Sequence, residues 1–187
     1  MIVPKPIEDV FAMFEDPYNL ATITPPWLNF LVTSKRKVQM APGAEIEYGF
    51  RWLGIPMYWR TRITSYSPPT QFVDEAIRSP YVFWRHLHTF ETVDGGTLVR
   101  DTVDYALPLG QLGRLAHSLV VRRNLIAIFT FRQRALNRHW GCGARIVWPT
   151  VRWLESLPAP PETANPEDPW RSSPSSLSPR PQPNRTD

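Results

Sequence analysis

At 187 residues the chain has room for one medium core, and its formal charge of +4 is mild. A single cysteine, Cys142, excludes an intramolecular disulfide and any metal site built on paired cysteines. No apolar run approaches the roughly 18 residues of a membrane span, and the N-terminus lacks the charged-then-apolar pattern of a secretion signal, so a reducing, cytoplasmic setting is expected.

Pro4-Lys5-Pro6 opens a helix with Pro6 as its first residue. Ile7, Val10, Phe11 and Phe14 recur at helical spacing and predict one buried face. Asp16-Pro17 ends that helix, a short helical turn is expected over Tyr18–Ile23, and the chain should then run extended from Leu28 to Val32. Lys35-Arg36-Lys37 reads as a solvated loop or edge. Glu45–Leu53 alternates, with Ile46, Tyr48, Phe50 and Trp52 on one side. A turn at Gly54-Ile55 would bring back Met57–Tyr66 with Phe50 opposite Trp59, Tyr48 opposite Thr61 and Ile46 opposite Ile63. Gln71–Arg78 is a further strand whose facing is open: either Phe72, Asp74 and Ala76 point inward, or Val73, Glu75 and Ile77 do.

The stretch Tyr81–Leu107 is the clearest in the chain. Trp84, His86, His88 and Phe90 alternate onto one face of its first arm, and Val99, Asp101, Val103 and Tyr105 onto one face of its second. Asp94-Gly95 between them favours a type I′ turn. That turn places Phe90 opposite Val99, His88 opposite Asp101, His86 opposite Val103 and Trp84 opposite Tyr105. Sliding it to Gly95-Gly96 would change the partners but not the faces.

After Pro108-Leu109-Gly110 a long helix is expected over Gln111–Trp140. Its buried stripe reads as Leu112, Leu115, Ala116, Leu119, Ile126 and Phe129, widened by Val121, Leu125 and Ile128. Between Tyr105 and Leu154 there are eight Arg, no Lys and no acid. Arg114, Arg122, Arg123, Arg132, Arg134 and Arg138 fall on this helix, most of them solvated, with Arg122 or Arg123 as candidates for a pocket mouth. Ala144–Leu157 reads as a helix broken at Pro149. Nine of the last thirty residues are Pro and five are Ser, a composition that predicts a disordered tail. A curled antiparallel sheet gripping one long apolar helix is the packing solution for this order of elements.

Four stretches, 4–30, 59–75, 81–108 and 112–129, resemble the START-like, helix-grip superfamily, also called SRPBCC, and more narrowly a bacterial ligand-binding group within it. The W-x-H-x-H-x-F pattern of Trp84–Phe90 and the opening helix carry the likeness, which spans about residues 2–140. The resemblance implies an α+β helix-grip fold, a curved antiparallel sheet around a long C-terminal helix, with a ligand-binding domain over 1–140; the C-terminal extension over 141–157 and the disordered tail over 158–187 lie outside it. It implies a cavity between sheet and helix, and it favours Phe72 and Asp74 facing inward. Family members begin with a full strand; only Ile2-Val3 stand for it here, so a start further upstream is expected in preference to a sheet with unpaired edge groups.

Eight Trp, nine Phe and six Tyr could fill a core or line a cavity. Tyr48, Phe50, Trp59, Trp84 and Tyr105 are the candidate lining, and Asp74, His86, His88 and Asp101 the candidate polar contacts. A histidine held by a carboxylate can be a general base, a ligand handle or a metal ligand, or it can simply fix strand register. Two histidines and one aspartate are a thin metal set, so no metal and no cofactor is expected. The leading reading is a protein that binds or carries a small hydrophobic ligand, with or without an acidic group. The alternatives are a cyclase-like enzyme using His88 and Asp101 as base, and a protein-interaction module with a filled core that uses the outer face near Arg85 and Arg100. No nucleic-acid role is expected, because stacking aromatics are not interleaved with the arginines.

Overall fold

Period-two alternation dominates the middle of the sequence, and that part of the chain is a sheet. The computed structural model describes residues 1–35, 37–108, 113, 115, 117–141, 150–154 and 158. The chain divides into Met1–Ser156 and Leu157–Asp187, and every element below lies in the first unit. The strands are β1 (Ile2–Val3), β2 (Leu31–Val32), β3 (Glu45–Trp52), β4 (Ile55–Ser67), β5 (Gln71–Arg78), β6 (Phe83–Val93), β7 (Gly96–Ala106) and β8 (Thr150–Trp153). Their order is β1-β7-β6-β5-β4-β3-β2, antiparallel throughout, with β8 parallel to β7. Helix α1 (Ile7–Glu15) follows β1, and α2 (Arg122–Trp140) follows β7. The core lies between one face of the sheet and α2, as expected of a helix-grip fold, with Ile63, Val103, Phe129 and Leu136 at its centre.

Pro6 caps α1 from just outside, at φ −55° and ψ 149°, one residue earlier than its expected place within the helix. Val10 and Phe11 are the buried pair of α1, and the Phe11 ring packs edge-on against Phe72 and Phe90. Asp16 accepts a hydrogen bond from the Tyr18 amide and starts a 3₁₀ helix over Pro17–Ile23. The expected extended run from Leu28 is shorter than anticipated. Pro26–Leu28 is a second 3₁₀ turn, and pairing resumes only at Leu31.

The β6–β7 hairpin has the expected register, including His88 opposite Asp101 and Trp84 opposite Tyr105. Its turn is not type I′, since Gly95 is at φ +85° while Asp94 is not at positive φ. Positive φ at both central residues occurs instead in the β3–β4 turn, at Leu53 (+50°) and Gly54 (+81°). That corrects the expected Gly54-Ile55 turn. Trp52 pairs with Ile55, so Tyr48 faces Trp59, Phe50 faces Met57 and Ile46 faces Thr61. The partners shift by two residues, and the inward set survives because an even shift keeps the faces. In β5 the open choice is settled, with Phe72 and Ala76 buried on the core side and Asp74 between them.

Two further corrections concern the C-terminal part. Leu115 and Leu119 are each 55% exposed and do not belong to the buried stripe. A π-helical turn over His117–Val121 precedes α2, and its extra residue breaks the phase between the segments on either side. The buried stripe of α2 runs through Leu125, Phe129, Arg132 and Leu136. The broken helix expected over 144–157 is, at Thr150–Trp153, the strand β8. A β-branched and aromatic tetrapeptide finds an open strand edge there. Thr102–Tyr105 pair with it residue for residue, and Arg152 forms a bidentate contact with Asp104. β1 covers only Thr97 and Leu98 on the same edge. Residues 142–149 with Cys142, residues 155–157, Arg36, Leu112, Arg114, Ala116 and the expected Pro/Ser tail beyond Pro158 lie outside the described residues.

Two substitutions test the turn geometry by urea unfolding. Leu53 is 72% exposed and sits in a left-handed conformation that a branched side chain resists. Leu53→Asn is expected to stabilise by about 1 kcal/mol. A Cβ at Gly96 would overlap the Val3 carbonyl oxygen and come within 2.8 Å of the Pro4 Cα. Gly96→Ala is expected to destabilise by roughly 2 kcal/mol or more.

Candidate functional site

Side chains at i and i+2 on a strand share a face, so β6 presents His86 and His88 together, with ring centroids 3.8 Å apart. On one flank β5 supplies Asp74, paired with His86; on the other β7 supplies Asp101, paired with His88. Asp74 Oδ2 lies 3.5 Å from His86 Nδ1 and 3.3 Å from His88 Nε2. Asp101 Oδ1 lies 3.1 Å from His86 Nε2, a hydrogen bond, and 2.9 Å from His88 Nδ1, which is close but poorly aligned for one. The four groups form a closed ring in which every imidazole nitrogen faces a carboxylate. Thr61, buried on β4, adds its hydroxyl 3.2 Å from Asp74 Oδ1. The Phe72 ring stacks on His88 at 4.2 Å, and Phe129 of α2 meets His86 edge-on.

Burial works against every charge in this ring, and the partners decide the outcome. Burial pushes the Asp101 carboxyl up, but the hydrogen bond from His86 and the close His88 imidazole outweigh it and hold Asp101 well below the usual carboxylate range. Asp74 is lowered in the same way, against burial, chiefly by His88. The histidines part company. His86 is lowered, by burial first and then by the neighbouring His88 charge. His88 is raised, because Asp101 and Asp74 together overcome its burial. The ring therefore pushes the proton affinities of its two imidazoles apart, His86 down and His88 up.

Beside this ring, between the concave sheet face and α2, lies a cavity of about 260 Å³. An apolar cavity of ~150 Å³ holds benzene, so this one admits a bicyclic ligand or a flexible chain of similar bulk. Seven of the nine residues singled out in the sequence line it: Tyr48, Phe50, Trp59, Asp74, Trp84, His86 and His88. Trp59 and Trp84 meet edge-to-face at 5.1 Å, and Tyr81 closes on both. Asp101 stands behind the histidines and Tyr105 behind Trp84; neither reaches the cavity wall. Tyr105 instead shares a hydrogen bond between its hydroxyl and His117 Nδ1 at 2.7 Å. Burial pushes the phenol up to about 12 and lowers His117. The tyrosine thus ties the π-helical turn to the sheet.

Arg122 and Arg123, the expected pocket-mouth arginines, are exposed and absent from the lining; Arg132 is the arginine that enters it. Sequence reasoning placed Arg132 outward because it is charged. Its spacing of three from Phe129 and four from Leu136 was the signal that it shares their face. Asp74, His86 and His88 bring one potential ligand atom each within 4.8 Å of one another, so a cation would sit among these three. The same positions accommodate the imidazole protons just described.

Residues 3–129 match the family described as "Polyketide cyclase / dehydrase and lipid transport". The chain belongs to this family. Solved structures agree at the level of the fold. A Chromobacterium violaceum protein superposes with TM-score 0.56 at 15% identity, covering 75% of this chain and 92% of that one. An Arthrobacter aurescens protein gives 0.55 at 11% identity, covering 74% and 83%. A Thermus thermophilus protein gives 0.54 at 15%, covering 74% and 91%. No curated protein matches the chain. No described helix is long and apolar enough to cross a membrane.

Asp101 offers a test of the ring. An unfolded aspartate titrates near ~3.9, and the folded value is lower. Its contribution is therefore fully present above that pH and is lost as pH falls through the folded value. His88 has the opposite sign: its contribution is present below ~6.5 and is lost as pH rises through its raised folded value. Asp101→Asn is expected to cost about 3 kcal/mol at neutral pH and to flatten the acid limb of a stability–pH curve measured by urea unfolding.

Proposed function

We propose that the protein binds a small hydrophobic ligand in the cavity between sheet and α2. The observation that supports this most is the pairing of an aromatic-lined, 260 Å³ space with a polar cluster on one wall, the composition of a ligand site rather than of a filled core. The aromatic end supplies burial. The His86 and His88 edges supply orientation, their tautomers and ring planes held from behind by Asp101. Membership of a family named in part for lipid transport is consistent with carriage.

A second reading, a cyclase-like or dehydratase-like enzyme, draws on the same ring. Two imidazoles with fixed environments border the cavity, and their proton affinities are pushed apart, which suits an acid and a base. In that case one imidazole accepts the proton and the other donates it, His88 with Asp101 being the base that the sequence suggests. An interaction role for the outer face draws less support, because Arg85 and Arg100 already pair with Glu75 and Glu91 of this chain.

Native mass spectrometry of the isolated protein, before and after organic extraction, tests the leading reading. A co-purifying small molecule is expected, lost on extraction, and absent from Ile128→Trp, which fills the cavity from α2. A bare mass, together with no rise in melting temperature across a panel of apolar compounds, overturns it. His88→Ala should change affinity in a carrier. In an enzyme, substitution of either histidine should lower turnover by ~10²-fold or more.

A further inference from the structure

α2 carries one charged side chain into the cavity. Arg132 follows Phe129 on the buried stripe, is 8% exposed and lines the wall. Its guanidinium carbon lies 5.0 Å from the centre of the Phe129 ring. Its Nε is buried without a hydrogen-bond partner, and among the described residues no carboxylate lies within ion-pair reach of it.

That situation differs from that of four arginines on the strands. Arg60 and Arg62 share Glu45, Arg85 meets Glu75, and Arg152 meets Asp104. Three acids line the cavity: Asp74 is engaged by His86 and His88, and neither Glu15 nor Asp16 pairs with Arg132. A guanidinium cannot escape its charge by losing a proton, and a lone buried charge is costly. A cation–π contact with a phenyl ring offsets only part of that cost. An arginine in this position is poorly placed for the stability of the empty protein and well placed for an anion that arrives with a ligand.

We propose that Arg132 is the anion-binding residue of the cavity and that the ligand is a small carboxylic acid. Its apolar body lies against Trp59 and Trp84, and its carboxylate meets the guanidinium fork. A single negative charge neutralises a single guanidinium, whereas a phosphate dianion would bring surplus charge into a space walled mainly by apolar groups. The inference rests on the reading of the cavity as a ligand site and adds the ligand's charge and the direction in which it enters.

Calorimetric titration with acids from hexanoate to dodecanoate and with naphthoate, each against the matching alcohol, tests it. Wild type is expected to prefer the acid by about 10- to 100-fold. Arg132→Met should bind acid and alcohol alike, and Arg132→Lys should fall between. Thermal unfolding of the ligand-free proteins supplies a separate readout. Arg132→Met should melt at the same temperature as wild type or higher, because an uncompensated buried charge has been replaced by an apolar side chain. Alcohols that bind as tightly as their acids would overturn the anion role and leave the cavity reading standing. A preference for acids that survives in Arg132→Met would do the same, as would a clear drop in its ligand-free melting temperature, the mark of a purely structural arginine. Failure of both acids and alcohols to bind wild type would remove the cavity reading and this inference with it.

Discussion

Two imidazoles and two carboxylates are buried in the middle strands of this sheet, and they can be accommodated only by satisfying one another. The constraint reaches well beyond four side chains. β5, β6 and β7 must hold Asp74, His86, His88 and Asp101 level, so the register of three strands is coupled to one polar ring. A slip of one residue in β6 would turn both histidines to the outer face, and a slip of two would leave buried carboxylates without partners. The register in turn decides which aromatic residues stand beside the ring. Trp84 and Phe90 flank the histidines along β6, and Trp59 comes alongside from β4.

The same ring shapes what the sheet and α2 enclose. A purely apolar concave face would be free to collapse onto Leu125 and Phe129. Here, rings of fixed orientation stand on the sheet, and bulky indoles meet edge-to-face rather than stacking flat. The space left is apolar over most of its wall and polar on one side. That asymmetry gives the cavity a direction, and the arginine from α2 gives it a charge.

Much of this was legible in the sequence, for reasons that can be located. The β6–β7 hairpin declared itself because both arms alternate without a break and Asp94-Gly95-Gly96 marks the reversal; even with a different turn type the register stands. The aromatic lining from β3, β4 and β6 followed from the same period. The Leu53-Gly54 turn was hidden because a leucine at positive φ contradicts ordinary preference, and Gly54-Ile55 looked the better fit. β8 was hidden because a four-residue strand pairing with a partner about fifty residues away leaves no local pattern. Arg132 was hidden by its charge. Tyr105 was misassigned because alternation fixes a face but not a position along the cavity, and its hydroxyl is committed to His117.

β7 takes partners from both ends of the folded unit. Met1 bonds to Val99 across a separation of 98 residues, and Arg152 to Asp104 across 48. Contacts this distant in sequence slow folding, because the entropy of closing a large loop is spent before any bond rewards it. The order of synthesis adds a second consequence. A chain emerging from the ribosome completes β6, β7 and α2 before β8 exists, so the strand that carries Asp101 waits with part of its edge uncovered. During that interval the edge is a template for pairing with another chain, and the short strand at Thr150–Trp153 is what closes it.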